Sequence, residues 1–212
     1  MTLRRTLLAA ALLLPLSAVA QEAPAPTPTP TPAPAPKPAT QKVALDTSFG
    51  RIVLELETQR APLTARNFLR YADQKRLDGI AFYRTVKVAD KFGFIQFGID
   101  NDPKRILPPI KHEPTTQTGV KHVNGAISTA RLAPGTARGE FTISVGDQPS
   151  LDADPARPGD NLGYAAFGKV VEGMEVVWKI LDAPTSPTAG EGVMKGQMLS
   201  PKIRILKVTR VP

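Results

Sequence analysis

The sequence predicts a mainly β domain whose antiparallel sheet closes on itself, and three observations carry that reading. Short apolar runs with period-two alternation recur along the chain, only two stretches have helical spacing, and glycine- or proline-rich joints separate the runs. An open sheet of many strands leaves unpaired edges that invite aggregation, so closure is favoured. The pattern alone does not choose between barrel and sandwich.

In order, Lys42–Thr47 and Arg51–Glu57 read as two strands around a tight turn at Ser48-Phe49-Gly50. Ile52, Leu54 and Leu56 alternate with Val53, Glu55 and Glu57, the signature of a half-buried strand. Pro62 opens a helix over Ala61–Gln74, at a position where its missing N–H costs nothing. Leu63, Phe68, Leu69 and Tyr71 form the expected apolar side of that helix, with Arg66, Arg70 and Asp73 outward. Strands follow at Ala81–Val86, Phe94–Phe97, Ala126–Thr129, Phe141–Val145 and Tyr164–Val170. A second helix spans Met174–Leu181 and buries Val177, Ile180 and Leu181, with Trp178 as a packing residue. Lys202–Thr209 closes the domain as a strand carrying Ile203, Ile205 and Val208 inward.

Ahead of this domain lie two segments of different composition. Arg4 and Arg5, the apolar run Leu7–Leu16 and the small residues Ala18-Val19-Ala20 read as a secretory signal cleaved after Ala20, too short to anchor in a bilayer. Residues 21–41 are an Ala-Pro and Thr-Pro tract, which favours extended polyproline II and serves as a semi-rigid spacer. The domain itself occupies residues 42–212 and is expected to be monomeric and periplasmic, with no membrane span. The formal charge of +8 drops by the two leader arginines to +6, and the basic residues are scattered, which argues against nucleic acid. With no cysteine, disulfide and thiolate chemistry are excluded.

Few residues offer conventional catalysis. His112 and His122 have neither zinc-site nor nucleophile–base spacing. Asp152, Asp154 and Asp160 share a loop interrupted by Pro155 and Pro158, and read as a solvated turn rather than a calcium site.

The segment Gly125–Gly146 resembles the central signature of the cyclophilins, a family of prolyl-peptide isomerases. Phe82-Tyr83-Arg84 is similar to the family's F-H-R strand, Phe94-Ile95-Gln96-Phe97-Gly98 to its F-M-I-Q-G-G, and Gly163–Met174 to its F-G-x-V-x-x-G-M stretch. The resemblance implies an eight-stranded antiparallel barrel with two capping helices, no cofactor or metal, and unfolded or proline-containing polypeptides as partners. By the same resemblance, Arg84 and Gln96 are the catalytic pair. Phe92, Phe94, Ala130, Glu140, Thr142, Leu151 and Tyr164 line the substrate site. Glu140 replaces a usual glutamine and is expected to pair with Arg84, compete with substrate for it, or face solvent; pairing would lower its pKa. Thr142 replaces the phenylalanine of the pocket floor, Gly93 replaces a second phenylalanine, and Phe92 is placed to swing into that gap. The interval between Arg84 and Gln96 exceeds the family pattern, so a loop at Lys87–Lys91 is expected to bulge beside the pocket. These changes imply an isomerase of low or narrow activity, or else a binding module for proline-containing segments.

Overall fold

Val43, Leu45, Ile52 and Leu54 are fully buried where β1 (Gln41–Thr47) pairs with β2 (Gly50–Leu56), so the period-two pattern of the sequence faces a core. The computed structural model describes residues 37–212; the expected leader at 1–20 and most of the proline tract lie outside the described residues. Ahead of β1, Ala39 N–H donates to Gln59 Oε1 at 2.8 Å.

The remaining strands are β3 (Ala81–Ala89), β4 (Phe92–Gly98), β5 (Ala126–Thr129), β6 (Glu140–Val145), β7 (Ala165–Glu172), the short β8 (Thr185–Ser186) and β9 (Met198–Val211). They run in the order β1-β2-β7-β5-β6-β4-β3-β9, and β9 pairs back onto β1. Every pairing is antiparallel, so these strands form a closed eight-stranded barrel, with β8 hanging on β9. Closure removes the exposed edges that such a sheet would otherwise present.

Helix α1 (Pro62–Asp73) starts just beyond the end of β2. Its first N–H groups have a partner from far along the chain: Glu113 accepts from Leu63 N at 3.2 Å and from Thr64 N at 2.7 Å. A carboxylate there satisfies orphan donors and complements the helix dipole. The buried side is Ala61, Ala65, Phe68, Leu69, Tyr71 and Ala72, whereas Leu63 is exposed, against expectation. Leu63 shares its face with Arg66 and Arg70, three and seven residues on, so helical spacing turns it outward. A single turn, α2 (Thr115–Thr118), lies in the long β4–β5 connection and was not anticipated. Helix α3 (Met174–Leu181) has the expected bounds and buries Val177, Ile180 and Leu181. Its Val176 fills the space beside Gly50, at the other end of β2 from α1. Trp178 packs against the core, and Lys91 Nζ sits 4.4 Å from its ring centroid. Among the described residues, no helix is long and apolar enough to cross a membrane.

Aromatic rings fill the barrel. Phe141 lies 4.8 Å from Phe68, 5.6 Å from Phe97 and 6.0 Å from Phe167, in edge and tilted geometries that ring quadrupoles favour. Phe141 thereby ties β6 to β4, β7 and α1. It also fixes which side of β6 faces out, because its neighbours Glu140 and Thr142 must point the other way.

Candidate active site

Four polar side chains form one row across four adjacent strands on the outer face of the barrel. Arg84 of β3 is in register with Gln96 of β4, Gln96 with Thr142 of β6, and Thr142 with Ser128 of β5. Directly opposed residues project to the same side of a sheet, so the aromatic packing inside aligns this row outside. A β-bulge between Phe82 and Arg84 lets both Phe82 point inward and Arg84 point outward.

Arg84 is half-buried and held from two sides. Its Nη1 donates to Gln96 Oε1 at 3.0 Å, while Nε and Nη2 donate to Gln197 Oε1 at 2.9 and 2.6 Å. The guanidinium carbon lies 5.2 Å from the centroid of Phe94. Burial draws its pKa below the ordinary arginine value, opposed by Tyr83 and Tyr164; the group stays a cation at neutral pH. Gln197 escaped the sequence reading, since it sits more than a hundred residues away in a loop without local signal.

Thr142 hydrogen-bonds its hydroxyl to Ser128 Oγ at 2.9 Å, so the floor beside Gln96 is polar. Ala130 and Tyr164 follow on β5 and β7, where Thr129 pairs with Ala165. Tyr164 donates its N–H to Leu151 O at 2.9 Å, which sets Leu151 beside it. Arg131 stacks 5.6 Å from the Tyr164 ring and forks onto Asp160 at 2.8 and 2.9 Å. That fork, with the Leu162 N–H, holds the Asp160 carboxyl down at about 2. Asp152 accepts from both the N–H (3.1 Å) and Nδ1 (2.7 Å) of His122. The turn that follows, residues 155–160, is exposed as expected, and Asp152 and Asp160 pin its two ends beside Leu151 and Tyr164. Among the described residues no cluster of His, Cys, Asp or Glu could hold a metal. His112 instead meets Leu162 O at 3.0 Å through Nε2.

Three expectations are corrected. Glu140 does not pair with Arg84 and does not face solvent. It lies over Gly98, its register partner, whose missing side chain leaves room for the carboxylate. There Tyr83 Oη donates to Oε2 at 2.6 Å and Asp100 N donates to Oε1 at 2.9 Å. Burial dominates, so the Glu140 pKa is raised rather than lowered. Second, Lys87–Lys91 is not a bulging loop. The extra residues lengthen the β3–β4 hairpin, with a register shift between Lys87 and Ala89 and a turn at Asp90-Lys91. Third, Phe92 does not swing into the gap at Gly93; it is 38% exposed and its ring packs against Gly146. Gly93 itself has φ +148°, and any Cβ there would collide with the Val86 carbonyl. The structure therefore brings together Arg84, Gln96, Phe94 and Thr142, with Ala130, Leu151 and Tyr164 along the adjoining edge, while Glu140 turns to Tyr83 and the Phe92 ring packs on Gly146.

Comparison with known proteins places the chain in a family. Residues 42–210 match the family model described as cyclophilin type peptidyl-prolyl cis-trans isomerase/CLD. Peptidyl-prolyl cis-trans isomerase A of Dickeya dadantii is 36% identical over 148 residues, covering 68% of this chain and 72% of that protein. Peptidyl-prolyl cis-trans isomerase B of Escherichia coli is 33% identical over 151 residues, covering 68% of this chain and 85% of that protein. A crystal structure of a cyclophilin type isomerase from Cryptosporidium parvum, obtained in the presence of the dipeptide Ala-Pro, shares the fold. Its TM-score is 0.64 at 21% identity, over 81% of this chain and 99% of that one. The chain belongs to the cyclophilin-type peptidyl-prolyl cis-trans isomerase family.

Proposed function

We propose that this enzyme isomerises prolyl bonds in unfolded exported polypeptides through Arg84, and that a polar floor at Thr142 limits its rate. A prolyl bond turns over a barrier of about 18–20 kcal/mol because resonance keeps it planar. No nucleophile or metal is needed to lower it. What is needed is a cradle for the ring and a donor that favours the twisted state, in which the prolyl nitrogen regains its lone pair. Arg84 is tied by three hydrogen bonds that leave one N–H free on each terminal nitrogen. Those donors are held before the substrate arrives, so little reorganisation accompanies catalysis. Gln96 lends its carbonyl to Arg84 and keeps its amide N–H groups for the substrate backbone. The observation that carries the reading is this pre-bound guanidinium, set in register with the floor of the groove.

The export role rests on Arg4, Arg5, the apolar run and the small residues before Gln21. The site lies within one domain, in keeping with a monomer that acts in the periplasm after cleavage following Ala20. Uncatalysed isomerisation takes tens to hundreds of seconds, so a slow catalyst still accelerates folding. A second reading, a module that holds proline segments with little turnover, is favoured by the Ser128–Thr142 hydroxyl pair where an apolar floor would grip the ring.

The deciding experiment is an isomerisation assay on an Ala-Pro peptide with the wild type and Arg84→Ala. Measurable wild-type activity that falls to background in the variant supports the enzyme reading. A wild-type rate equal to buffer favours the holding module, and an active Arg84→Ala overturns the role of the arginine.

A further inference from the structure

We infer that Gln197 is a positioning residue for Arg84, supplied by the loop between β8 and β9. The inference rests on the proposed role of Arg84 and deepens it. Gln197 Oε1 accepts from Nε and Nη2 together, so one oxygen fixes the edge of the guanidinium opposite Nη1. Gln96 then fixes Nη1, and the ring of Phe94 supports one face. With two edges and a face occupied, the guanidinium plane has a single orientation. Removing Gln197 frees the longer of the two held edges, and a long flexible side chain regains its rotamers.

The backbone of Gln197 is itself tied to the strand it serves. Its carbonyl accepts from Thr85 N at 2.9 Å, the residue after Arg84, and its N–H donates to Met194 O at 3.0 Å. Met198, the next residue, is in register with Arg84 on β9. The oxygen that orients Arg84 thus moves with Arg84's own strand pair. The rest of the loop, by contrast, exposes Val193 and lies outside the core cluster. The loop therefore has one buried duty at its end, and its polar partner is the only residue of that segment reaching into the groove's arginine.

Two variants of the full chain test this: Gln197→Met, which keeps the stem and loses the acceptor, and Gln197→Ala. Both are expected to lower kcat about tenfold, the loss of one charge-assisted contact made ready for the transition state. KM for an Ala-Pro peptide should stay within about twofold, because ring contacts are untouched. NMR of the Arg84 Nε–H supplies a readout that a merely structural residue would not move: a protected signal in the wild type, lost to solvent exchange in both variants. A Gln197→Met enzyme with wild-type kcat and a protected Nε–H overturns the inference while leaving Arg84 catalytic. If Arg84→Ala is fully active, the parent reading fails first, and the Nε–H signal alone still reports whether Gln197 orients the side chain.

Discussion

Tyr83 Oη donates to Glu140 Oε2 at 2.6 Å, and the two residues are both departures from the family's usual histidine and glutamine. The pair closes the space over Gly98, with Asp100 N donating to the other oxygen at 2.9 Å. Lys202 adds a cation near the Tyr83 ring and binds Asp100 at 2.8 Å. Together they brace the loop that leaves β4, where Asp100 and Asn101 have positive φ. Tyr83→Phe removes the hydroxyl and with it the side-chain donor to a largely buried carboxylate. The expected cost is about 1–3 kcal/mol, read as a lower urea midpoint with unchanged slope.

Glu140 also gives stability an unusual pH dependence. Its folded pKa is raised above 4.5, chiefly by burial, with the Tyr83 and backbone hydrogen bonds opposing. The folded state therefore keeps this proton to higher pH than the unfolded state does. The associated stability is fully present below about 4.5 and is lost as pH rises through the folded value. Glu140→Gln should flatten that segment of the Tm–pH curve and raise Tm at neutrality. His122 acts with the opposite sign: burial lowers its pKa below 6.5, so its contribution fades as pH falls through the window beneath that value. An unchanged slope in Glu140→Gln would mean the carboxylate is better solvated than its contacts imply.

Thr142→Phe should raise kcat/KM for Ala-Pro peptides. A phenyl ring buried against the substrate proline is worth about 1.5–3 kcal/mol, or about ten- to a hundredfold if realised in the transition state. The increase is expected mainly for substrates bearing proline, and peptide binding followed by calorimetry should tighten in parallel. No gain would locate the bottleneck elsewhere in the groove.

Gly93→Ala is expected to be severely destabilising, by about 3 kcal/mol or more. Its φ of +148° is open only to glycine, and a Cβ has no path past the Val86 carbonyl. Because Gln148 Nε2 binds the Gly93 carbonyl, the loss should spread to the segment bearing Leu151. Thermal unfolding of the variant measures it, and a melting temperature within a degree of wild type would contradict the strand geometry.

Much of the barrel was legible from alternation. The bounds of β5 and α3 coincide with the sequence reading, while β3, β4, β7 and β9 extend further than their apolar runs. Several of the added residues are exposed, as at Val88 and Phe92, so neither burial nor period marks them. Leu63 shows the complementary failure: a large apolar residue was assigned inward, but its angular position on α1 places it with Arg66 and Arg70. Gln96 was legible by resemblance, yet Gln197 had no such motif, and the anchoring of Asp152 by His122 joins residues thirty positions apart.

By itself the sequence determined the strand alternation, the two main helices and the presence of Arg84, Gln96 and Thr142, because these depend on local period and motif. Only the tertiary structure decided where the charges went. Glu140 turned from Arg84 to Tyr83 because Gly98 left an open space across the strand, and Arg84 found Gln197 because β9 closes the barrel beside β3. Register across strands sets such partners, and register follows from the packing of rings such as Phe97 and Phe141 on the inner face.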